Sequence, residues 1–225
     1  MREIPAIQSR SKSQHGAALL IALLMLVVLL MLGIAAVHIG LQSERISRNW
    51  RDRQIAWQAA EAALLDAEYD IGNPHSPRHA LFDNMPSIPA ASGGNQNAPI
   101  LPGLYFPAAD PQAPRWRRLT SDHDASGLDY GRFTARTMQT GIGALPARAP
   151  RYLLEILPRL RNQPANDRSR RYRISALGFG PDPDTRVMLQ SIYRRQPASA
   201  NPAGAAPDAP SMRIGWRELA IPDTE

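Results

Sequence analysis

The sequence predicts an α+β protein, in which one long N-terminal helix, part membrane span and part amphipathic extension, packs on an antiparallel β-sheet. Three observations carry the prediction. Residues 17–37 hold no charged side chain. No proline falls between Pro5 and Pro74, so nothing interrupts a helix across residues 6–73. Near the C-terminus Val187, Leu189 and Tyr193 alternate with Arg186, Gln190 and Arg194, the period of a half-buried strand. A helix followed by a run of strands is the α+β order.

Residues 1–16 form a polar leader, and residues 17–41 form the span. A membrane helix needs about 20 consecutive apolar residues, whereas a cleavable secretory signal has an apolar core of about 7–15. The run "ALLIALLMLVVLLMLGIAAV" exceeds the second and satisfies the first. A signal cut near "GIAAVHIG" is the alternative. Arg2, Arg10 and Lys12 precede the run and only Glu3 opposes them. The positive-inside tendency therefore keeps the N-terminus cytoplasmic and exports the rest, into the periplasm in a bacterium.

Residues 42–71 continue the helix. "AAEAALLDAE" consists of strong helix formers. Trp50, Trp57, Leu64 and Ile71 recur every seven residues, beside a stripe of Ala56, Ala60, Ala63 and Ala67. Trp50, Trp57 and Leu64 are expected to pack between helix and sheet. Gly72, Asn73 and Pro74 supply the stop.

Residues 72–225 make a β-rich domain with proline-rich loops at 84–114 and 196–210. Strands are predicted at 131–138, 151–157, 171–179, 185–195 and 213–219, with "GPDPDT" (180–185) as a hairpin connection. "DHDASGLD" holds Asp122, Asp124 and Asp129, oxygen ligands at a spacing that suits calcium. It lacks the order of an EF-hand loop, and an Asx-rich turn is the plainer reading. His75, His79 and His123 are expected in loops.

With 44% hydrophobic and 20% charged residues the chain has a folded composition. It has no cysteine, which excludes thiolate metal centres and thiol nucleophiles. No catalytic constellation or phosphate loop is visible, so neither enzyme activity nor a cofactor is expected. The net charge is +6, and Lys12 is the only lysine. The arginines are scattered along the sequence and not interleaved with aromatics, so no specific nucleic-acid partner is expected.

The quoted segments resemble a family. "HGAALLIALLMLVVLL" after a basic leader is similar to the start of type IV pilin-like proteins. Glu44, Arg45, Asn49, Arg51, Asp52, Ala56, Gln58, Ala59, Ala60, Glu61, Ala62, Ala63 and Leu64 resemble the opening pattern of the PilX-type minor pilins. "RYRISALGFGPDPDTRVMLQSIYRR" is similar to that family's closing strands.

The resemblance implies cleavage by prepilin peptidase between Gly16 and Ala17, and N-methylation of Ala17. Loss of the leader takes the net charge from +6 to +4, because it holds three basic residues and one acidic one. The implied partners are other minor pilins, the major pilin, prepilin peptidase, the inner-membrane assembly platform and a tip adhesin. The implied location is the inner membrane and then the pilus, in a low-copy initiating or tip complex. One departure matters: the fifth mature position, usually glutamate, is Ile21. That suits a subunit outside the repeated shaft. A type II secretion pseudopilin and an unprocessed, singly anchored periplasmic binding domain are the alternatives.

Overall fold

The computed structural model describes residues 15–83, 99–108, 110, 113–121, 124–164, 167–196 and 210–221. The chain divides into two compact units, Met1–Asn49 and Trp50–Glu225. Helix α1, His15–Gly72, contributes to both. In the first unit every described side chain from residue 18 to 49 is exposed. The stretch is long and apolar enough to cross a membrane, and side chains such as Leu24, Leu29 and Leu32 have no protein to bury against. Such a surface calls for a non-aqueous surrounding.

The second unit is built on a six-stranded sheet. The strands are β1 (Leu104–Tyr105), β2 (Leu128–Asp129), β3 (Arg151–Leu157), β4 (Arg170–Phe179), β5 (Arg186–Arg195) and β6 (Met212–Leu219). The order is β1-β3-β4-β5-β6, with β2 also on β3. All pairs are antiparallel except β1 with β3, which is parallel. A short helix, α2 (His79–Asp83), and a 3-10 turn, Arg115–Thr120, complete the elements among the described residues.

Strict alternation in β3 to β5 sends one set of side chains to α1. Tyr152, Leu154, Ile174, Ala176, Val187 and Leu189 meet Ala56, Ala60, Ala63, Leu64 and Ala67 there. The opposite set, Leu153, Leu177, Phe179 and Met188, is covered by Leu119 of the 3-10 turn, with Trp116 against it. The alanine stripe lets helix and sheet backbones approach closely. A Cβ on Gly178 would stand 2.9 Å from the Ala60 Cβ, and closer still to the Ala56 carbonyl oxygen.

Four predicted strands are present within a residue or two of their expected ends. "GPDPDT" closes its hairpin through Gly180 N–H to Thr185 O at 2.7 Å. Residues 131–138 are not a strand. Gly131 (φ 79°) and Ala135 (φ 55°) have left-handed backbones, and Ala135 N–H returns to Gly131 O at 2.9 Å. The buried Asp66 carboxylate holds this turn, accepting from Gly131 N–H at 2.8 Å and from the Thr134 hydroxyl. The proline-rich stretch 84–114 also yields β1, whose parallel pairing with β3 makes the sheet mixed. Of the loop 196–210, residues 197–209 lie outside the described residues.

Tyr152 and Tyr172 are fully buried on the helix side, and their hydroxyls find no hydrogen-bond partner among the described residues. Burial pushes both phenols above their ordinary pKa, Tyr172 to about 12. A folded-state pKa raised above the unfolded value gives stability that is complete below about pH 10 and is lost as pH rises toward 12. Tyr172→Phe is therefore expected to leave stability at pH 7 within about 1 kcal/mol of the parent and to weaken its alkaline loss. Urea melts at pH 7 and pH 10.5 check this. An unchanged alkaline loss would remove Tyr172 from the account.

Candidate functional site: processing segment and helix–sheet seam

Gly16 and Ala17 lie in the opening turn of α1. Ile21 is 59% exposed, on the apolar span. The three packing candidates behave differently from one another. Leu64 is fully buried in the core. Trp57 is partly buried against it and meets Trp216 of β6 edge-on, ring centroids 6.0 Å apart. Trp50 does not pack on the sheet: it is 64% exposed. The heptad itself explains the difference. A straight α-helix drifts about 20° per seven residues, so a stripe through Leu64 and Ile71 turns away from the sheet by Trp57 and is clear of it by Trp50.

The DHDASGLD segment supplies no cation site among the described residues. Asp122 is outside them. Asp124 turns its carboxylate onto its own chain, accepting from Ser126 N–H at 2.7 Å. Asp129 faces Arg151 at 3.6 Å. His75 and His79 follow α1. His79 opens α2, where its ring lies 3.0 Å from Asp83; His123 is outside the described residues.

Three buried or half-buried arginines fasten the seam. Arg78 is buried after the helix end and binds Asp70, with Nε to Oδ2 at 2.9 Å and a second contact through Nη2. Ser76 donates to the same carboxylate at 2.6 Å, Arg78 Nη1 reaches Pro102 O at 2.7 Å, and the guanidinium lies 3.8 Å over the Phe133 ring. Arg195 is buried at the end of β5. Its Nε donates to Ile71 O at 2.8 Å, satisfying a terminal carbonyl of α1, and it pairs with Asp83 at 2.6 Å. Arg213 clamps β6 to α1, Nη1 to Glu61 at 2.8 Å and Nε to Glu68 at 2.7 Å. Burial opposes its charge, but the hydrogen bonds to Glu68 and Glu61 outweigh burial and raise its pKa. One signal was available: Val187, Leu189 and Tyr193 share a face with Arg195, so alternation alone puts that arginine toward the helix. Nothing local marks Arg78 or Arg213.

These contacts give roles to residues of the opening pattern. Ala56 and Ala60 admit Gly178, and Glu61 receives Arg213. The seam is built for holding a helix on a sheet. Together with the apolar N-terminal segment it defines a pilin-like class: an α+β domain carried on a helix that fits a membrane anchor. The description "PilX N-terminal" matches residues 15–65, and "Type IV pilus assembly protein PilX C-term" matches residues 82–195. The chain belongs to the PilX family of type IV pilus assembly proteins. No curated protein and no solved structure matches it.

Proposed function

We propose that the chain is a minor pilin of a bacterial type IV pilus, present in few copies in an initiating complex at the pilus end. Prepilin peptidase would cut between Gly16 and Ala17 and Ala17 would be N-methylated. Before extraction the span lies in the inner membrane, with its N-terminus cytoplasmic, as Arg2, Arg10 and Lys12 direct. The domain then faces the periplasm, within reach of the assembly platform.

The observation that carries this reading is the lack of any acidic residue in 17–37, with Ile21 at the fifth mature position. A terminal ammonium buried in a filament needs a neighbour's carboxylate. This chain brings the ammonium and offers no carboxylate in return. It can be accommodated by another minor pilin or the major pilin, and it cannot repeat against itself. The same feature fits a type II secretion pseudopilin, but the family match favours the pilus. A tip adhesin is a further candidate neighbour.

Intact-mass analysis of the chain from pilus-bearing membranes tests the processing step. A mature start at Ala17 carrying one methyl group is expected. A start beyond Val37 would mean a cleaved signal, and an intact Met1 start would mean an unprocessed anchor; either contradicts the reading.

A further inference from the structure

β6 ends the sheet. It pairs with β5 on one side, and no strand lies on its other side among the described residues. An open edge presents unpaired backbone donors and acceptors, and folded proteins blunt such edges with charge, proline or cover. Here Met212, Ile214 and Trp216 are exposed, and no proline falls within the strand. Ile214 has no partner in the register, so the regular part of the edge is Gly215–Leu219. Gly215, Arg217 and Leu219 alternate onto the face away from α1, opposite Ile192, Gln190 and Met188. On that face lies a cleft of about 300 Å³, lined by Arg173, Gln190, Ile192, Gly215, Trp216 and Arg217. A Cβ on Gly215 would meet nothing within 4 Å, and its backbone is not left-handed. Neither contact nor conformation calls for glycine there; what it does is leave the cleft open at the edge. Arg173 is paired with Glu155 at 3.3 Å. Arg217, among the described residues, donates to the neutral Gln190 Oε1 alone, at 2.9 and 3.2 Å.

We propose that the β6 edge takes up an extended segment of another protein as an added antiparallel strand, and that this segment carries an acidic residue two positions before an aromatic one. β3 to β6 all pair antiparallel, the more stable ladder. The main chain supplies the affinity of such an addition and alternate side chains its choice of partner. In an antiparallel register one residue of the added strand stands opposite Gly215, and the residue two before it stands opposite Arg217. Both fall on the cleft side. An aromatic ring laid across an edge glycine covers it and fills the space its missing side chain leaves. A carboxylate opposite Arg217 supplies the anion that this guanidinium lacks. The residue between the two meets Trp216 and is apolar. A second copy of this chain does not fit: none of its Asp or Glu residues stands two positions before Phe, Tyr or Trp, so no antiparallel register against β6 fills both places.

The test uses the full chain in non-ionic detergent and two fluorescent peptides, Thr-Val-Thr-Glu-Val-Tyr-Thr and its counterpart with Lys in place of Glu. Anisotropy reads affinity, and hydrogen exchange reads the edge. The Glu peptide is expected to bind with a Kd below about 1 mM, about fivefold or more tighter than the Lys peptide, and to slow amide exchange across Gly215–Leu219. Arg217→Glu should invert the preference. Arg161→Glu, the same change of charge at an exposed position in the turn after β3, should keep it. Ala in place of the peptide's Tyr should weaken binding about threefold, and Gly215→Val, which fills the cleft, should abolish that difference. No binding at about 1 mM, equal binding of the two charged peptides, a preference unmoved by Arg217→Glu, a Tyr that adds nothing, or binding without protection of Gly215–Leu219 would overturn the proposal. So would a concentration-dependent dimer that protects Gly215–Leu219 without peptide, which would give the edge to a second copy.

Discussion

Arg78→Met is expected to destabilise the folded domain by about 3–5 kcal/mol. The substitution leaves the Asp70 carboxylate fully buried with only the Ser76 hydroxyl as a side-chain donor. It also removes the donor to Pro102 O and the cation over Phe133. Methionine fills the volume, so the loss reports charge pairing more than a cavity. The double variant Asp70→Asn/Arg78→Met should recover part of the loss, because the stranded charge is gone. Urea melts of a soluble fragment beginning near Ser43 supply the numbers. A single variant within 1 kcal/mol of the parent, or a double variant worse than the sum of the singles, would contradict the role given to the pair.

Gly178→Ala is the second large effect. Here β4 passes close to α1, and an added Cβ would intrude on the backbone of Ala56 and on Ala60. Backbone cannot swing aside as the end of a side chain can, so helix and sheet must separate along the stripe. Overpacking of this kind costs about 1–3 kcal/mol, occasionally more, and the upper end is expected here. Gly215→Ala in β6 is the comparison, since its Cβ meets nothing within 4 Å. A melting temperature for Gly178→Ala equal to that of Gly215→Ala would show that the seam has slack where the structure leaves none.

Both predictions depend on contacts that differ in how well the sequence announces them. Strands β3 to β6 were legible because alternation is a local property of the chain, and the turn residues of "GPDPDT" joined two of them. Gly72, Asn73 and Pro74 marked the end of α1 for the same reason. Residues 131–138 carry a strand-like pattern, yet a carboxylate 65 residues earlier, Asp66, draws Gly131 into a turn. β1 has two residues, too few for any period, and lies among prolines. Trp50 shares the seven-residue spacing of Leu64 and Ile71 without their burial, because a straight helix of 3.6 residues per turn drifts off a heptad. The arginines that face one another at 171 and 194 are 23 positions apart, and only strand register brings them together. In the N-terminal segment the readable features are the basic charge before residue 16, the apolar length and the lack of an acidic residue at Ile21.

The central claim, that this PilX-family chain serves at an end and not along the shaft, rests on that missing carboxylate. Quantitative mass spectrometry of sheared, purified pili tests it most directly. The account predicts peptides of this chain at a small fraction of the major subunit, the N-terminal one beginning at methylated Ala17. Copy numbers comparable to the major subunit would show that Ile21 is tolerated throughout the shaft, and the end position would be contradicted.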